Sequence, residues 1–481
     1  MPRKKIIGLS FPQNSLNLGL EPSILNVLPP GDNVEYCADN RQFNDSEVEM
    51  YLCSVYIAGM EEFQEWAMKH DTRKIIAGGY HPTMFPEDFI NFANKIVMGP
   101  CDDLEATLSQ ENVLFEKSHY DSEKTGNARF IEERILKTLW PIEGRIRTFG
   151  EVKANGVPET PSGRAEVLKD RVLPGVLTFR NVPRFDIYDI RNNQQVIPDK
   201  KTDDLATSVN SSFGCPYKCD FCCTPVMFGP AMISKPVEAL EREIKLITQR
   251  LDEADDGKKQ RFLFIRDENF PLQKDYAKKL EIIAGTGAKI YLFASANRLS
   301  KDVADNFAKN NVYMICLGLE DPTVEYGKNK HLDEAVKRLK DRGIFTYLSF
   351  IVDPLNIVGA EKGKEFYEIL KKRFLELKPE MVCGNFLMPF PGTPMWDKYY
   401  HLVSKEDFRN YNSKTPFLVK NKILHEKMRY FMFKMQRDYY NSDFYNREVR
   451  RFETGDTLHL RFLELEKEFG QLIENIRYLR P

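Results

Sequence analysis

The sequence predicts an α/β protein with an N-terminal doubly wound parallel sheet, a partial barrel of six β/α units, written (β/α)6, and a helical C-terminal region. Short apolar runs alternate with amphipathic segments near the N-terminus, and the same alternation returns at residue 206. Strands that alternate with helices favour parallel sheets. After Pro394 the clearest segments are helical, at residues 425–440 and 460–479. The predicted domains are 1–120, a linker region at 121–205, 206–395 and 396–481.

The N-terminal region contains five apolar runs predicted as strands, at residues 5–9, 34–37, 50–58, 74–78 and 95–98. Helices are predicted at residues 61–70 and 86–94, and Pro22 opens another at a position where its missing N–H is harmless. A doubly wound sheet of this kind binds ligands beyond the carboxyl ends of its strands.

The second region contains six predicted strands, at residues 207–209, 262–265, 290–293, 313–317, 345–352 and 381–386. Helices are predicted between them, at residues 236–251, 274–284, 302–310, 332–342 and 362–374. Six units are too few for a closed eight-stranded barrel, so a partial barrel is expected. Active groups are then expected at the carboxyl ends of the strands.

Composition excludes some classes of protein. The 481 residues carry 69 basic and 71 acidic side chains, so no basic patch for nucleic acid or a membrane surface is indicated. No apolar run approaches the ~20 residues of a membrane span, and the first residues lack a signal-peptide core. Four of the nine cysteines crowd into residues 215–223, which is not a disulfide pattern. A cytoplasmic protein is expected.

The stretch Ser-Phe-Gly-Cys-Pro-Tyr-Lys-Cys-Asp-Phe-Cys-Cys holds Cys215, Cys219 and Cys222, followed at once by Cys223. Three thiols at spacings of four and three can converge on one metal centre. A four-iron cluster usually takes four thiolates, so three leave one iron open to a small molecule. The alternatives are buried thiols or a zinc site, but zinc usually needs a second ligand pair, which the sequence lacks.

The spacing C-x3-C-x2-C resembles the signature of the radical S-adenosylmethionine (radical SAM) enzymes. The resemblance implies a [4Fe-4S] cluster on Cys215, Cys219 and Cys222. Its open iron would chelate S-adenosylmethionine, which is then cleaved reductively to a 5′-deoxyadenosyl radical. An external electron donor such as flavodoxin or ferredoxin is implied. By the same resemblance Phe221 contacts the adenine, whereas Cys223 is expected to be a small buried residue.

Polar residues follow three predicted barrel strands. Asp267 and Glu268 lie in Asp-Glu-Asn-Phe, which resembles the Asp-Asp-x-Phe of members with a cobalamin-type domain, and which acid faces the ligand stays open. Arg298 can hold a carboxylate with two hydrogen bonds. Gly-Leu-Glu320 resembles the Gly-x-Glu that binds ribose hydroxyls. Salt bridges at strand ends are the alternative for each. The Pro-Gly-Thr-Pro turn ending at Pro394 is interpreted as structural.

Residues Gly78, Gly79, His81 and Thr83 belong to Gly-Gly-Tyr-His-Pro-Thr, which resembles a segment of cobalamin-binding radical SAM proteins. Glycines between a strand and a helix allow the backbone to approach a large ligand. Cobalamin is therefore implied. The Asp-x-His-x-x-Gly motif is absent, so no histidine ligand to cobalt is expected, and loss of cobalamin stays an alternative.

The resemblance, which runs from about residue 5 to Pro394, implies cobalamin-dependent methylation of an unactivated carbon. The substrate is expected to be a small molecule or a peptide. A radical SAM cyclase or rearrangement enzyme with a vestigial or non-methylating cobalamin domain is one alternative. A corrinoid- or cluster-dependent sensor without turnover is another. A methylthiotransferase is disfavoured because Cys37, Cys53 and Cys101 lack the Gly-Cys context of its second cluster.

Overall fold

The structure is a computed structural model. It describes residues 4–11, 25, 27–37, 43–84, 86–99, 101–109, 171–174, 179, 183, 205–228, 232–255, 257, 260–324, 326–443 and 445. The chain forms two compact units. The N-terminal unit contains Met1–Asp189, Ser212–Ile247 and Pro389–Tyr411, and the barrel unit contains Ile190–Ser211, Thr248–Met388 and Asn412–Pro481. The domain boundaries taken from the sequence stay predictions.

The N-terminal unit is built on a parallel sheet. Its described strands are β1 (Lys5–Phe11), β2 (Val34–Cys37), β3 (Val48–Val55), β4 (Ile75–Gly78), β5 (Lys95–Met98) and β6 (Val172–Pro174). The strand order is β2-β1-β3-β4-β5-β6. All neighbours pair in parallel, which confirms the predicted doubly wound sheet. The order reverses between β1 and β3, where such sheets place their ligand crevice.

β6 lies inside the segment that the sequence indicated as a linker. It pairs with β5 at the edge of the sheet, with Pro174 opposite Met98. A proline is tolerated there because an edge strand has backbone groups that need no ladder partner. The prolines that weakened the pattern therefore did not prevent a strand.

Helices of the N-terminal unit cover the sheet and flank the cysteine motif. They are α1 (Met60–Ala67), α2 (Tyr80–Met84), α3 (Leu104–Leu108) and α4 (Thr224–Phe228). The helix predicted at residues 86–94 is instead a 3-10 turn at Pro86–Phe89. Pro86 has no N–H with which to continue a helix, and the N–H of Asn94 bonds to Ile75 O beside β4. This unit also holds a two-stranded antiparallel pair, β8 (Ser212–Phe213) and β9 (Ile233–Ser234).

The barrel unit contains a curled parallel sheet. Its described strands are β7 (Leu205–Val209), β10 (Arg261–Ile265), β11 (Lys289–Phe293), β12 (Val312–Glu320), β13 (Phe345–Val352) and β14 (Met381–Phe386). They lie side by side in the order β14-β13-β12-β11-β10-β7, all parallel, which confirms the predicted partial barrel. The remaining described helices are α5 (Val237–Ala254), α6 (Tyr276–Ala284), α7 (Lys301–Lys309), α8 (Leu332–Lys340), α9 (Ala360–Leu377), α10 (Pro394–Tyr399) and α11 (Lys422–Tyr440). Of these, α10 and the first part of α5 belong to the N-terminal unit.

Helix α11, predicted at residues 425–440, closes the outer edge of the barrel sheet. The hydroxyl of Tyr440 accepts a hydrogen bond from the N–H of Val382 (3.0 Å) and donates one to its carbonyl (2.8 Å). The Gln436 side chain accepts from the N–H of Gly384 at 3.4 Å. An uncovered edge strand invites pairing with other chains, so this contact protects β14. The helix predicted at residues 460–479 lies outside the described residues.

Gly384 is the point of closest approach between α11 and the sheet. A methyl group there would lie 2.0 Å from the sulfur of Met432 and 2.6 Å from the ring of Phe350. Gly384→Ala is therefore expected to destabilise the protein by about 1–3 kcal/mol, because a packed core resists added volume. Chemical denaturation measures the loss. Gly327→Ala is the matched control, since a methyl group at Gly327 meets nothing within 4 Å; equal losses in both variants would contradict the packing.

A partly buried polar cluster lies at the amino ends of β3 and β4. Asp45 accepts hydrogen bonds from the Tyr51 hydroxyl (2.5 Å) and the backbone of Asp71 (2.6 Å), and it lies 2.9 Å from Nδ1 of His70. Burial alone would raise the pKa of Asp45, but the bonds to Tyr51 and His70 hold it below its usual 3.8. Ionised Asp45 therefore stabilises the fold above the usual pKa, and this contribution is lost as pH falls through the lower folded pKa.

Asp45→Asn is accordingly expected to lower the melting temperature most between about pH 5 and 7. The difference from the parent should shrink as the pH drops below 3.8, the usual pKa of this carboxyl. Thermal melts of both proteins across this range make the comparison. Parallel curves at every pH would show that the charge of Asp45 does not contribute.

No helix among the described residues combines the length and the apolar composition that a membrane crossing requires.

Candidate functional site

The cysteine loop occupies residues 214–223 of the N-terminal unit, between β8 and α4. Gly214 turns the chain with φ 85°, a left-handed conformation that favours glycine, immediately before Cys215. Cys215, Cys219 and Cys222 are all half-buried, and none is in a disulfide. The N–H of Cys222 bonds to Cys219 O at 3.1 Å, which folds the second half of the loop into a turn.

The cysteine loop supplies the three thiols of the C-x3-C-x2-C motif and one carboxylate oxygen that is unpaired within the described residues. Within the described ranges, no three Cys, His, Asp or Glu side chains are brought together around one metal position. A four-iron cluster makes a different demand, because each thiolate binds a different iron. The buried Oδ1 of Asp220, inside the loop, has no hydrogen-bond partner in the described part of the chain. A buried unpaired oxygen costs about 1–3 kcal/mol, so the donor set and this oxygen both fit a further group at the loop.

The Pro-Gly-Thr-Pro turn lies against the cysteine loop. Gly392 has φ 79°, and a methyl group there would lie 3.0 Å from Cγ1 of Val226 in α4. The N–H of Met395 donates to Asp220 O at 3.1 Å. Thr393 caps α10 through its hydroxyl, which accepts from the N–H of Trp396. The turn, interpreted from the sequence as structural, thus also holds the cysteine loop in place.

Gly79, just after β4, lies against the protein's own backbone, whereas Gly78 does not. Gly79 has φ 102°, and a methyl group there would lie 3.1 Å from Ser54 Oγ and from the backbone of Val55. At Gly78 a methyl group would meet only ordinary contacts, the nearest at 3.7 Å. Gly79 is therefore required for the close passage of the chain past β3. The predicted contact of Gly78 and Gly79 with cobalamin stays a prediction.

His81 and Thr83 tie down the same loop. His81 is fully buried, with Nε2 2.8 Å from Asp88 Oδ2 and Nδ1 3.4 Å from Ile57 O. The Thr83 hydroxyl donates to Gly79 O (2.7 Å) and accepts from the N–H of Gly99 (3.0 Å). Both side chains bond within the protein, so they shape the carboxyl edge of the sheet. Their predicted contact with a cofactor stays a prediction.

Two tyrosines that sequence reasoning missed lie at this edge. Tyr56 follows β3 and Tyr80 follows β4, and their rings stack at 5.6 Å with an interplanar angle of 19°. Tyr80 is 37% exposed, although it sits in a loop whose other members are largely buried. Helix α2, which begins at Tyr80, neighbours α4 of the cysteine loop. The signal available in the sequence was an aromatic residue within two positions of the end of each of two parallel strands.

The polar groups after β10 have different surroundings. Asp267 is fully buried and accepts hydrogen bonds from the N–H and hydroxyl of Ser211, both at 2.6 Å. Asn269 is buried and exchanges two hydrogen bonds with Ser295, after β11. Glu268, between them, is half-buried. Asp267 thus connects the end of β10 to the end of β7, and Asn269 connects it to the end of β11. Glu268 is the more accessible of the two acids.

Glu320 ends β12 in an unusual conformation. It has φ 60°, and the pairing of β12 with β13 is irregular between Gly318 and Glu320. A methyl group at Gly318 would lie 2.1 Å from Oε1 of Glu320, so the carboxylate lies directly over this glycine. A non-glycine residue in this region is strained, and strain of this kind often accompanies a functional position. Glycine at position 318 therefore leaves room for the carboxylate of Glu320, with which any side chain there would collide. Arg298 lies exposed in the turn after β11.

Comparison with known proteins places the cysteine loop and four of the barrel strands in one family match. The model of the radical SAM superfamily matches residues 209–371. Bacteriochlorophyllide d C-12(1)-methyltransferase from Chlorobaculum tepidum is 24% identical over 236 residues, 47% of this chain and 50% of that protein. The chain therefore spans about half the length of this relative. Bacteriochlorophyllide d C-8(2)-methyltransferase from the same organism is 23% identical over 413 residues, 81% of this chain and 78% of that protein.

A solved structure shares the fold. It is the radical S-adenosylmethionine methyltransferase TsrM from Kitasatospora setae, with cobalamin and a [4Fe-4S] cluster bound. The match has a TM-score of 0.50 at 14% identity and covers 82% of this chain and 78% of that chain. The family match identifies a radical SAM domain at residues 209–371, and this range contains the cysteine loop.

Proposed function

We propose that this protein is a cobalamin-dependent radical SAM methyltransferase that acts on an unactivated carbon. The observation that carries the proposal is the C-x3-C-x2-C loop within the residues that match the superfamily. Cys215, Cys219 and Cys222 would hold the [4Fe-4S] cluster. The accessibility of all three thiols and the unpaired Asp220 oxygen support a group bound at this loop. Cys223 precedes α4 directly and is assigned no ligand role.

S-adenosylmethionine would bind at the carboxyl ends of the barrel strands. Phe221 would contact the adenine, and Glu320 would accept hydrogen bonds from the ribose hydroxyls. Of the two acids after β10, Glu268 suits the amino group, because both oxygens of Asp267 are already bonded to Ser211. Arg298, exposed after β11, suits the carboxylate, since a guanidinium binds a carboxylate with two parallel hydrogen bonds.

Cobalamin would bind at the carboxyl edge of the N-terminal sheet. Both relatives are named methyltransferases, and the TsrM structure has cobalamin and a [4Fe-4S] cluster bound. The stacked Tyr56 and Tyr80 offer a flat apolar surface there, next to α4 of the cysteine loop. His81 has both nitrogens bonded within the protein, so it is not assigned as a cobalt ligand. When bound, cobalamin supplies a transferable methyl group and the cluster supplies the electron that cleaves S-adenosylmethionine.

The substrate would meet the less buried face of the barrel sheet. Phe264 and Phe293 contact edge to face there at 5.3 Å, and the amide of Asn385 donates to Ser349 Oγ at 3.0 Å. This mixture suits a small molecule or a peptide with an apolar carbon framework and a polar group. The electron would come from an external donor such as flavodoxin or ferredoxin.

The test is an anaerobic assay of protein reconstituted with iron, sulfide and hydroxocobalamin. It receives S-adenosylmethionine with a deuterated methyl group, a reductant and extract of the native producer. 5′-Deoxyadenosine together with a product that carries the labelled methyl group is the expected result. 5′-Deoxyadenosine without label transfer would favour cyclisation or rearrangement. Neither product, from protein that retains its cluster, would contradict the proposal and favour a sensor.

A further inference from the structure

A closed polar network surrounds the residue from which the cysteine loop departs. Ser211 lies just beyond β7 and four positions before Cys215. Its N–H and its hydroxyl donate to the two oxygens of Asp267, each at 2.6 Å. The Gln273 amide donates to the Ser211 hydroxyl and to Asp267, both at 2.8 Å. The carbonyl of Ser211 accepts a hydrogen bond from the Lys279 ammonium at 3.2 Å. The N–H, the hydroxyl and the carbonyl of Ser211 are therefore all hydrogen-bonded.

The network contains two buried charges. Asp267 and Lys279 are both fully buried, and Gln273 joins them by donating to Asp267 and accepting from the Lys279 ammonium at 2.6 Å. Asp275, whose side chain is 37% exposed, lies 3.3 Å from the same ammonium. Charges taken out of water cost free energy that apolar packing would not. Both charged groups form hydrogen bonds to Ser211 and so fix its position. We take this as the reason why the two charges are buried here.

We propose that Asp267, with Gln273 and Lys279, positions the cysteine loop for cluster binding by holding Ser211. Asp267 is a positioning residue in this assignment and does not contact S-adenosylmethionine, which leaves that contact to Glu268. The network holds Ser211, which precedes β8 and the cysteine loop in the chain, and Cys215 follows four positions later. Groups that orient metal ligands typically contribute about 10–100-fold to metal affinity. The inference rests on the proposed function, because it concerns the cluster that function requires.

The test separates positioning from folding. Asp267→Asn removes the buried negative charge and leaves Lys279 without its linked carboxylate. The double variant Asp267→Asn/Lys279→Met removes both charges and so restores neutrality. Its asparagine can still accept the Ser211 N–H, but it loses the second acceptor oxygen, so the hold on Ser211 stays weakened. Lys278→Met is the matched control for the lysine change, because Lys278 is 58% exposed at its side chain. Glu268→Gln is the matched control for the acid change.

Four measurements are made on each variant. Melting temperature of the cluster-free protein reports folding, and hydrogen exchange of residues 212–215 reports the hold on the loop. Two further readouts report how well the cysteine loop is positioned for the cluster. They are the rate at which reconstituted protein loses iron to a chelator and the electron paramagnetic resonance spectrum of the reduced cluster. The double variant is expected to regain most of the melting temperature that Asp267→Asn loses. It should still release iron about 10–100-fold faster than the parent, with faster exchange at residues 212–215 and an altered spectrum.

The outcomes distinguish the inference from the function on which it rests. Parent-like iron retention, exchange and spectrum in a double variant that folds would overturn the positioning role. If the double variant fails to fold, Ser211→Ala decides in the same assays, since it removes the hydroxyl contacts and leaves both charges in place. Iron release as fast in Glu268→Gln as in the double variant would also overturn it. A parent that never retains a cluster would instead contradict the proposed function.

Discussion

Cys219→Ala is expected to lose the [4Fe-4S] cluster and all formation of 5′-deoxyadenosine. Cys219 is the central thiol of the loop, half-buried, and its carbonyl accepts the N–H of Cys222. Two remaining thiolates leave too few anchors for a four-iron cluster that already has one open iron. Iron and sulfide analysis after anaerobic reconstitution measures the loss, and chromatography of the reaction mixture measures 5′-deoxyadenosine.

Cys223→Ala is the control for this prediction. Cys223 is also half-buried, and its carbonyl accepts the first hydrogen bonds of α4, from Val226 and Met227. Those bonds come from the backbone, so alanine preserves them. The variant should keep parent-like iron content. Full iron and sulfide content in Cys219→Ala would show that the cluster is bound elsewhere.

Glu320→Ala is expected to weaken binding of S-adenosylmethionine while the cluster stays in place. Loss of a charged hydrogen-bond acceptor costs about 1.5–3 kcal/mol, which is roughly a tenfold to hundredfold rise in Kd. Gly318→Ala should act in the same direction, because its methyl group would occupy the position of Glu320 Oε1, 2.1 Å away. Calorimetry with the reconstituted protein measures both.

Gly327→Ala serves as the control, since a methyl group at that position meets nothing within 4 Å. A second control is the iron content of Glu320→Ala, which should equal that of the parent. Unchanged affinity in Glu320→Ala would move the ribose contact to another residue. A loss in Gly318→Ala without one in Glu320→Ala would mean that the strand, rather than the carboxylate, governs binding.

The order of strands and helices was largely predictable because it is a local property. Alternating apolar runs and amphipathic segments gave β13 and β14 with the bounds that the structure shows, and placed β10 and β11 to within one residue. Failures arose where local signals misled. Prolines concealed β6, which is tolerated at a sheet edge. Pro86 suggested a helix start where the chain makes a 3-10 turn.

Predictions for individual polar residues depended on contacts that no local pattern contains. Asp267 and Glu268 are adjacent and chemically alike, so the sequence left their roles open. Asp267 is paired with Ser211, 56 positions away along the chain. A partner at that separation is set by how β7 and β10 align in the sheet. Periodicity therefore places both acids at a strand end but does not distinguish them.

By itself the sequence indicated the resemblance to radical SAM enzymes, the cysteine loop and the succession of two parallel sheets, because spacing and periodicity are properties of neighbouring residues. Only the tertiary structure decided which of the candidate residues already bond to or pack against other parts of the protein. It bonds both nitrogens of His81, presses Gly79 against β3 and places the Pro-Gly-Thr-Pro turn on the cysteine loop. A buried polar group bonds to whichever partner the packing brings near. That choice is made between segments distant in the chain, which is why motif resemblance named candidate residues without assigning their contacts.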